Sequence, residues 1–149
     1  MNKIGNIQNK NILLLQGPMG YFFKRLDKFF RTNKAHTYRI GFNAGDAFFS
    51  YRDNYTPYRG TRQNWAGFIE TFLHQHKIDQ IYLFGDCRFY QAQAIQIARD
   101  MKVDVFVFEE GYLRPNYIAL EKFGVNHFSA MRRDREFYDQ LSLSELPNT

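Results

Sequence analysis

The chain has 149 residues, with 20 Lys and Arg against 15 Asp and Glu and a formal charge of +5. That length suits one domain with its own core, and 18% aromatic with 23% charged residues excludes a disordered chain. A single cysteine, Cys87, excludes an internal disulfide, and the scattered basic residues show no zinc-finger, RNA-binding or basic-zipper spacing, so nucleic acid is not an expected partner.

Residues 1–10 are polar and are expected to form a flexible N-terminus. Asn11 to Leu15 reads as a first buried strand. Its apolar run is too short for a signal peptide or a membrane span, so a cytoplasmic protein is expected. The charge fits an anionic lipid surface or a sugar nucleotide. Gln16-Gly17-Pro18-Met19-Gly20 follows as a tight loop. Phe22, Leu26, Phe29 and Phe30 then recur at i, i+4, i+7 and i+8, one face of a helix whose other faces carry Lys24, Arg25, Lys28 and Arg31. The glycines ahead of this helix leave backbone N–H groups at its start. The lysine of a P-loop and the glycine spacing of a dinucleotide fingerprint are lacking there, so a plain strand–turn–helix is the expectation.

His36 to Phe42 alternates as a second strand and Asn43 to Asp46 reads as its turn, followed by the aromatic run Ala47 to Tyr51. Asn54 to Gly60 reads as an ordered crossing loop packed on the domain body. A second helix starts near Asn64, a capping residue type. Trp65, Phe68, Ile69, Phe72 and Leu73 form its core stripe, and His74 and His76 at its end read as structural. Gln80 to Phe84 is the third strand, with Gly85-Asp86-Cys87-Arg88 at its carboxyl end. Tyr90, Ala94, Ile97, Ala98 and Met101 mark a third helix, which Asp86 is placed to cap. Val103 to Phe108 is the fourth strand. Ile118 to Leu120 reads as a short strand and Asp134 to Leu141 as a helical turn or two.

Strand and helix alternate, which implies a Rossmann-like parallel sheet with helices on both faces over residues 11–141, followed by a flexible tail at 142–149. The expected core includes Leu14, Leu26, Phe30, Phe68, Phe72, Leu83, Ile97 and Val107. Three loops that follow strands then share one edge of the sheet: Gln16 to Gly20, Gly85 to Arg88 and Glu109 to Pro115. In such sheets ligands bind beyond the carboxyl ends of the strands. Glu109 and Glu110 follow the last buried strand there, and Gly111 and Pro115 shape the turn after them. Two readings stay open for this pair: catalytic carboxylates, or a solvated loop in which a glutamate pairs with Arg114.

Leu15-Gln16-Gly17-Pro18, Leu83-Phe84-Gly85-Asp86-Cys87-Arg88 and Phe108-Glu109-Glu110-Gly111-Tyr112-Leu113-Arg114-Pro115 resemble the capsule polysaccharide biosynthesis family called KpsS/LipB. The resemblance runs from about Ile12 to Tyr138. It implies the N-terminal half of a two-domain GT-B glycosyltransferase. The implied reaction moves 3-deoxy-D-manno-oct-2-ulosonic acid (Kdo) from CMP-Kdo to a lysophosphatidylglycerol-type acceptor, with retention, to build the lipid-linked oligo-Kdo anchor of capsules. A related transferase of the same pathway carries an acidic-acidic-Gly-aromatic-Leu-Arg motif, which Glu109 to Arg114 match. The resemblance therefore puts the catalytic role on Glu109 and Glu110, with Glu110, beside Gly111, the favoured cleft residue. Gln16, Gly17, Pro18, Asp86, Arg88 and Arg114 become candidate substrate-binding residues, since arginine forks suit the carboxylate and phosphate groups of donor and acceptor. No metal and no cofactor beyond the CMP-Kdo donor is expected. Implied partners are the sugar nucleotide, the lipid acceptor, the inner-membrane surface peripherally, and capsule assembly proteins. Family members are longer, and their second half supplies a His-Pro motif that this sequence lacks, so the chain alone is expected to be inactive. The alternative is a non-catalytic lipid- or protein-binding subunit of the capsule machinery.

Overall fold

A computed structural model describes residues 6–18, 20–110 and 118–122. Six strands form one sheet in the order β3-β2-β1-β4-β5-β6. These are β1 (Asn11–Leu15), β2 (His36–Gly41), β3 (Tyr55–Pro57), β4 (Gln80–Phe84), β5 (Asp104–Glu110) and β6 (Ile118–Lys122). The first five run parallel, and β6 pairs antiparallel with β5. Four helices accompany them: α1 (Phe22–Thr32), α2 (Ala44–Phe48), α3 (Trp65–Gln75) and α4 (Phe89–Asp100). The arrangement is the Rossmann-like α/β sheet that the alternation of elements predicts.

The central strands are apolar throughout because both faces of the sheet are covered. In β1, Ile12 and Leu14 face one apolar cluster with Phe23 and Phe30 of α1. Leu13 and Leu15 face the other, with Trp65, Ile69 and Leu73 of α3 and Ala94 and Ala98 of α4. Of the expected core, Leu14, Phe30, Phe72, Leu83 and Val107 are buried. Leu26, Phe68 and Ile97 are only half-buried at the rims of the clusters.

Helices α1, α3 and α4 end alike. Lys34, Lys77 and Lys102 adopt left-handed φ of 64°, 47° and 60°. The next N–H, of Ala35, Ile78 or Val103, donates back to Phe30, Leu73 or Ala98. Each is the bond pattern of a Schellman turn, with an apolar residue just beyond it. A lysine therefore closes helices whose ends carry no glycine signal. The buried carboxylate of Asp27 ties α1 to β2, accepting from Arg31 Nε at 2.9 Å, Thr37 Oγ1 at 2.6 Å and Asn54 Nδ2 at 2.9 Å.

Four expectations change. Asn43 to Asp46 is more than a turn: Asn43 Oδ1 accepts from Asp46 N at 2.9 Å and caps the short helix α2, which runs into the aromatic stretch at Phe48. The crossing loop contains β3, where Tyr55 and Thr56 lie opposite Arg39 and Ile40 of β2. Pro57 is tolerated because this strand is the edge. Of the two expected caps, Asn64 stands at the start of α3 without capping it, and Asp86 is not at the cap position of α4. Asn64 has helical backbone and makes no side-chain cap bond, while Arg88, not Asp86, occupies the cap position of α4. Finally, β5 runs on through Glu109 and Glu110, because β6 supplies Ala119 and Ile118 as their pairing partners. The glutamates end the strand rather than following it. Gly111 to Pro115 and the helix expected at Asp134 to Leu141 lie outside the described residues.

Candidate functional site

The chain leaves β1 towards β2 and β3 on one side, then returns through α3 to β4 and β5 on the other. The gap between the carboxyl ends of β1 and β4 is thus the point where the order reverses, the usual ligand position in this architecture. The loops after these two strands carry the predicted residues. Gln16 takes φ of 32°, unusual for a residue with a side chain, and Gly85 takes 72°. Gly17 lies so close to Phe23 of α1 that a Cβ there would collide with the ring. A glycine is therefore needed where the loop crosses the apolar cluster.

A cavity of about 240 Å³ opens here, and Gln16, Gly17, Pro18 and Arg88 all line it. Asp86 is buried beside it at 4% exposure, with the Cys87 Sγ–H donating to its Oδ1 at 3.1 Å. That bond, helped by the negative charge of Asp86, raises the Cys87 thiol above its ordinary pKa, and the nearby charge of Glu109 adds to the effect. Glu109 is thus an electrostatic neighbour of the Gly85–Arg88 loop. It is half-buried, its Oε1 accepting from Glu110 N at 3.2 Å, whereas Glu110 is exposed. Neither glutamate is among the residues lining the cavity. Arg114 lies outside the described residues. Among the described residues no group of His, Cys, Asp or Glu is placed to hold a metal ion.

The structure adds Arg39, Asn43, Asp46 and Phe49 to the cavity wall. Asp46 Oδ2 is fixed by Phe42 N at 2.7 Å and Gln16 Nε2 at 3.3 Å. Arg39 is 3% exposed, and its Nη1 donates to the Phe49 carbonyl at 2.8 Å. Burial lowers its pKa, against the opposing charges of Asp27, Asp46 and Tyr55. The signal for it was present in the sequence. Arginine is almost never fully buried without a partner, and Arg39 stands mid-strand between apolar residues. In the alternation of His36 to Phe42 it falls with Thr37 and Gly41, on a face that α1 covers, its guanidinium over the Phe23 ring.

Residues 79–147 match the model of the family described as capsule polysaccharide biosynthesis protein. The chain is 39% identical, over 147 aligned residues, to the capsule polysaccharide modification protein LipB of Neisseria meningitidis, strains of serogroups A and B. That match covers 89% of this chain and 33% of LipB. It is 36% identical over 135 residues to the capsule polysaccharide export protein KpsS of Escherichia coli, covering 91% of this chain and 35% of KpsS. The chain is similar to the capsule polysaccharide proteins LipB and KpsS. The family-model match takes in Gly85–Arg88 and Glu109–Arg114, and the matches to LipB and KpsS extend over most of the chain. The chain spans about a third of the length of those proteins. Among its described residues no helix is long and apolar enough to cross a membrane.

Proposed function

We propose that the chain acts in capsular polysaccharide biosynthesis, as part of a retaining β-Kdo transferase that uses CMP-Kdo and a lysophosphatidylglycerol-type acceptor at the cytoplasmic face of the inner membrane. The observation that carries this reading is the 36–39% identity to LipB and KpsS over about nine tenths of the chain. The geometry supports it chemically. Kdo transfer builds positive charge on the anomeric carbon. One carboxylate can stabilise or attack that carbon while another acts as base toward the acceptor hydroxyl. Glu109 and Glu110 are the carboxylates at the end of β5, and Gln16 to Pro18, Asp86 and Arg88 form or border the neighbouring crevice. The reaction needs no cofactor beyond the donor in this scheme.

The test is a chimera in which residues 1–149 replace the matching segment of KpsS, assayed for Kdo transfer from CMP-Kdo to lysophosphatidylglycerol. Transfer is expected, and Glu→Gln at the catalytic position of the 109–110 pair should cost at least about 10²-fold in rate with melting temperature unchanged. Full turnover in both Glu→Gln chimeras would remove the pair from the chemistry. The 149-residue chain assayed alone is expected to give no product.

A second reading, contact with an anionic membrane surface, is favoured by one patch. Lys24, Arg25 and Lys28 line a shallow depression with Tyr21 and Tyr51, and Phe48 nearby is 71% exposed. Cations interleaved with exposed aromatic rings suit a layer of lipid phosphates. Sedimentation with phosphatidylglycerol vesicles should retain the protein, and Lys24→Glu with Lys28→Glu should release it. Equal retention by neutral phosphatidylcholine vesicles would count against this reading.

A further inference from the structure

The cavity wall contains a buried cation that no carboxylate of the described residues meets at ion-pair distance, though Asp27 and Asp46 lie near enough to act on its charge. Arg39 is 97% removed from solvent (3% exposed), yet it forms no ion pair with a described residue. The hydrogen bond of its guanidinium is the one from Nη1 to the Phe49 carbonyl, and Nε has no partner. Asp27, the buried carboxylate of α1, is already committed to Arg31, Thr37 and Asn54. Burying a cation this deeply is costly unless an anion and hydrogen-bond acceptors meet it. Arg88 lines the same cavity from the start of α4; its carbonyl accepts from Ala92 N, while its guanidinium has no hydrogen bond or ion pair with a described residue. Two guanidiniums thus face one carboxylate, Asp46, whose Oδ2 is held by Phe42 N and Gln16 Nε2.

We propose that this cavity is an oxyanion site, in which Arg39 and Arg88 grip a phosphate or carboxylate group carried by a bound substrate. Arginine forks match the paired oxygens of either group. The volume of about 240 Å³ lies below the range of sites that enclose a whole drug-sized ligand, so the cavity takes one group of a larger molecule. Arg39 is already desolvated and fixed by Phe49, so binding neither strips its water nor orders its side chain. Phe49 and Pro18 add apolar residues to the wall, and contacts strengthen where water is displaced. The site is defined by anion binding, whether or not the protein transfers a sugar, and so goes beyond the transferase reading.

The test follows the Arg39 Nε–H resonance of the 149-residue chain by NMR at pH 7. Inorganic phosphate and sodium acetate are titrated separately, with sodium chloride at matched ionic strength as control. A saturable shift with phosphate assigns the site to a phosphoryl group, and one with acetate to a carboxylate; either supports the proposal. Arg88→Gln, a change at an exposed side chain, should weaken the effective anion by about tenfold, the loss of one charge-assisted bond. Arg39→Lys, which keeps the charge but loses the fork, should weaken it similarly. No saturable shift with either anion beyond the chloride control overturns the site. So does unchanged affinity in Arg88→Gln. Because no transfer is measured, neither result depends on the fate of the capsule-transferase reading.

Discussion

Gln16 is held between the two sides of the crevice by Gln91: Gln91 Nε2 donates to Gln16 Oε1 at 2.9 Å, and Gln16 Nε2 passes the link on to Asp46 Oδ2 at 3.3 Å. Gln91 is 1% exposed, and its own Oε1 has no partner among the described residues. Gln16→Leu keeps the bulk but strands the Gln91 amide, so it should destabilise the protein by about 1–3 kcal/mol, the cost of an unmet buried polar group. Gln16→Leu combined with Gln91→Leu should recover part of that loss, because both partners of the bond are then gone. Urea unfolding of the single and double variants reads both effects, and strict additivity would show that the two amides are not coupled.

Gly17→Ala should cost about 1–3 kcal/mol by overpacking. The new methyl meets the Phe23 ring, which is 1% exposed and wedged in the cluster under α1. Gly67→Ala is the matched control. It lies within α3 with nothing close to the added methyl, and it should stabilise by about 0.5–1 kcal/mol through helix propensity. Melting temperatures moving in opposite directions would verify both environments at once.

Cys87 should be a slow thiol despite its exposure. Its bond to Asp86 and the charge of Glu109 raise its pKa, which reduces the thiolate present at neutral pH. Alkylation by iodoacetamide at pH 7.5 should therefore be slower than that of a free cysteine. Asp86→Asn should accelerate it most and Glu109→Gln by less. The Glu109 effect reports on whether this carboxylate stands beside the Gly85–Arg88 loop. A rate indifferent to Glu109→Gln would place it elsewhere.

Stability should fall at alkaline pH through Tyr82. Burial, with a smaller contribution from Asp104, pushes this phenol far above its usual range, and its hydroxyl donates to Gln80 Oε1 at 3.3 Å. The folded-state pKa is raised, so the stabilisation is fully present below the unfolded value near 10 and is lost as pH rises beyond it. Urea midpoints measured from pH 8 to 11 should drop at the alkaline end. Tyr82→Phe should flatten that drop, since it removes the group that ionises only on unfolding. An equally steep fall in the variant would assign the effect to other tyrosines.

Much of the fold was legible because its signals are local. The apolar runs at Asn11–Leu15, Gln80–Phe84 and Asp104–Phe108 have no polar alternation, which a parallel strand covered on both faces requires. The 3.6-residue stripes around Phe30 and Trp65 name their helices. Elements shaped by their neighbours were harder to read. Tyr55–Pro57 becomes a strand because β2 offers a free edge, and Glu109 and Glu110 join β5 because β6 pairs with them. The helix ends at Lys34, Lys77 and Lys102 lack the usual glycine, so only the backbone bonds reveal them.

By itself, then, the sequence determined the strand–helix order, the apolar faces and the motifs Gln16–Pro18, Gly85–Arg88 and Glu109–Arg114 that carry the family resemblance. These depend on residue types within a few positions of one another. Tertiary structure decided the order 3-2-1-4-5-6, which brings Gln16 and Arg88 to one cavity, and it decided the fate of Arg39. A period-2 pattern places Arg39 on one face of β2 but cannot say what covers that face. Only the packing of α1 and the loop through Phe49 against it turns an ordinary strand arginine into a buried cation.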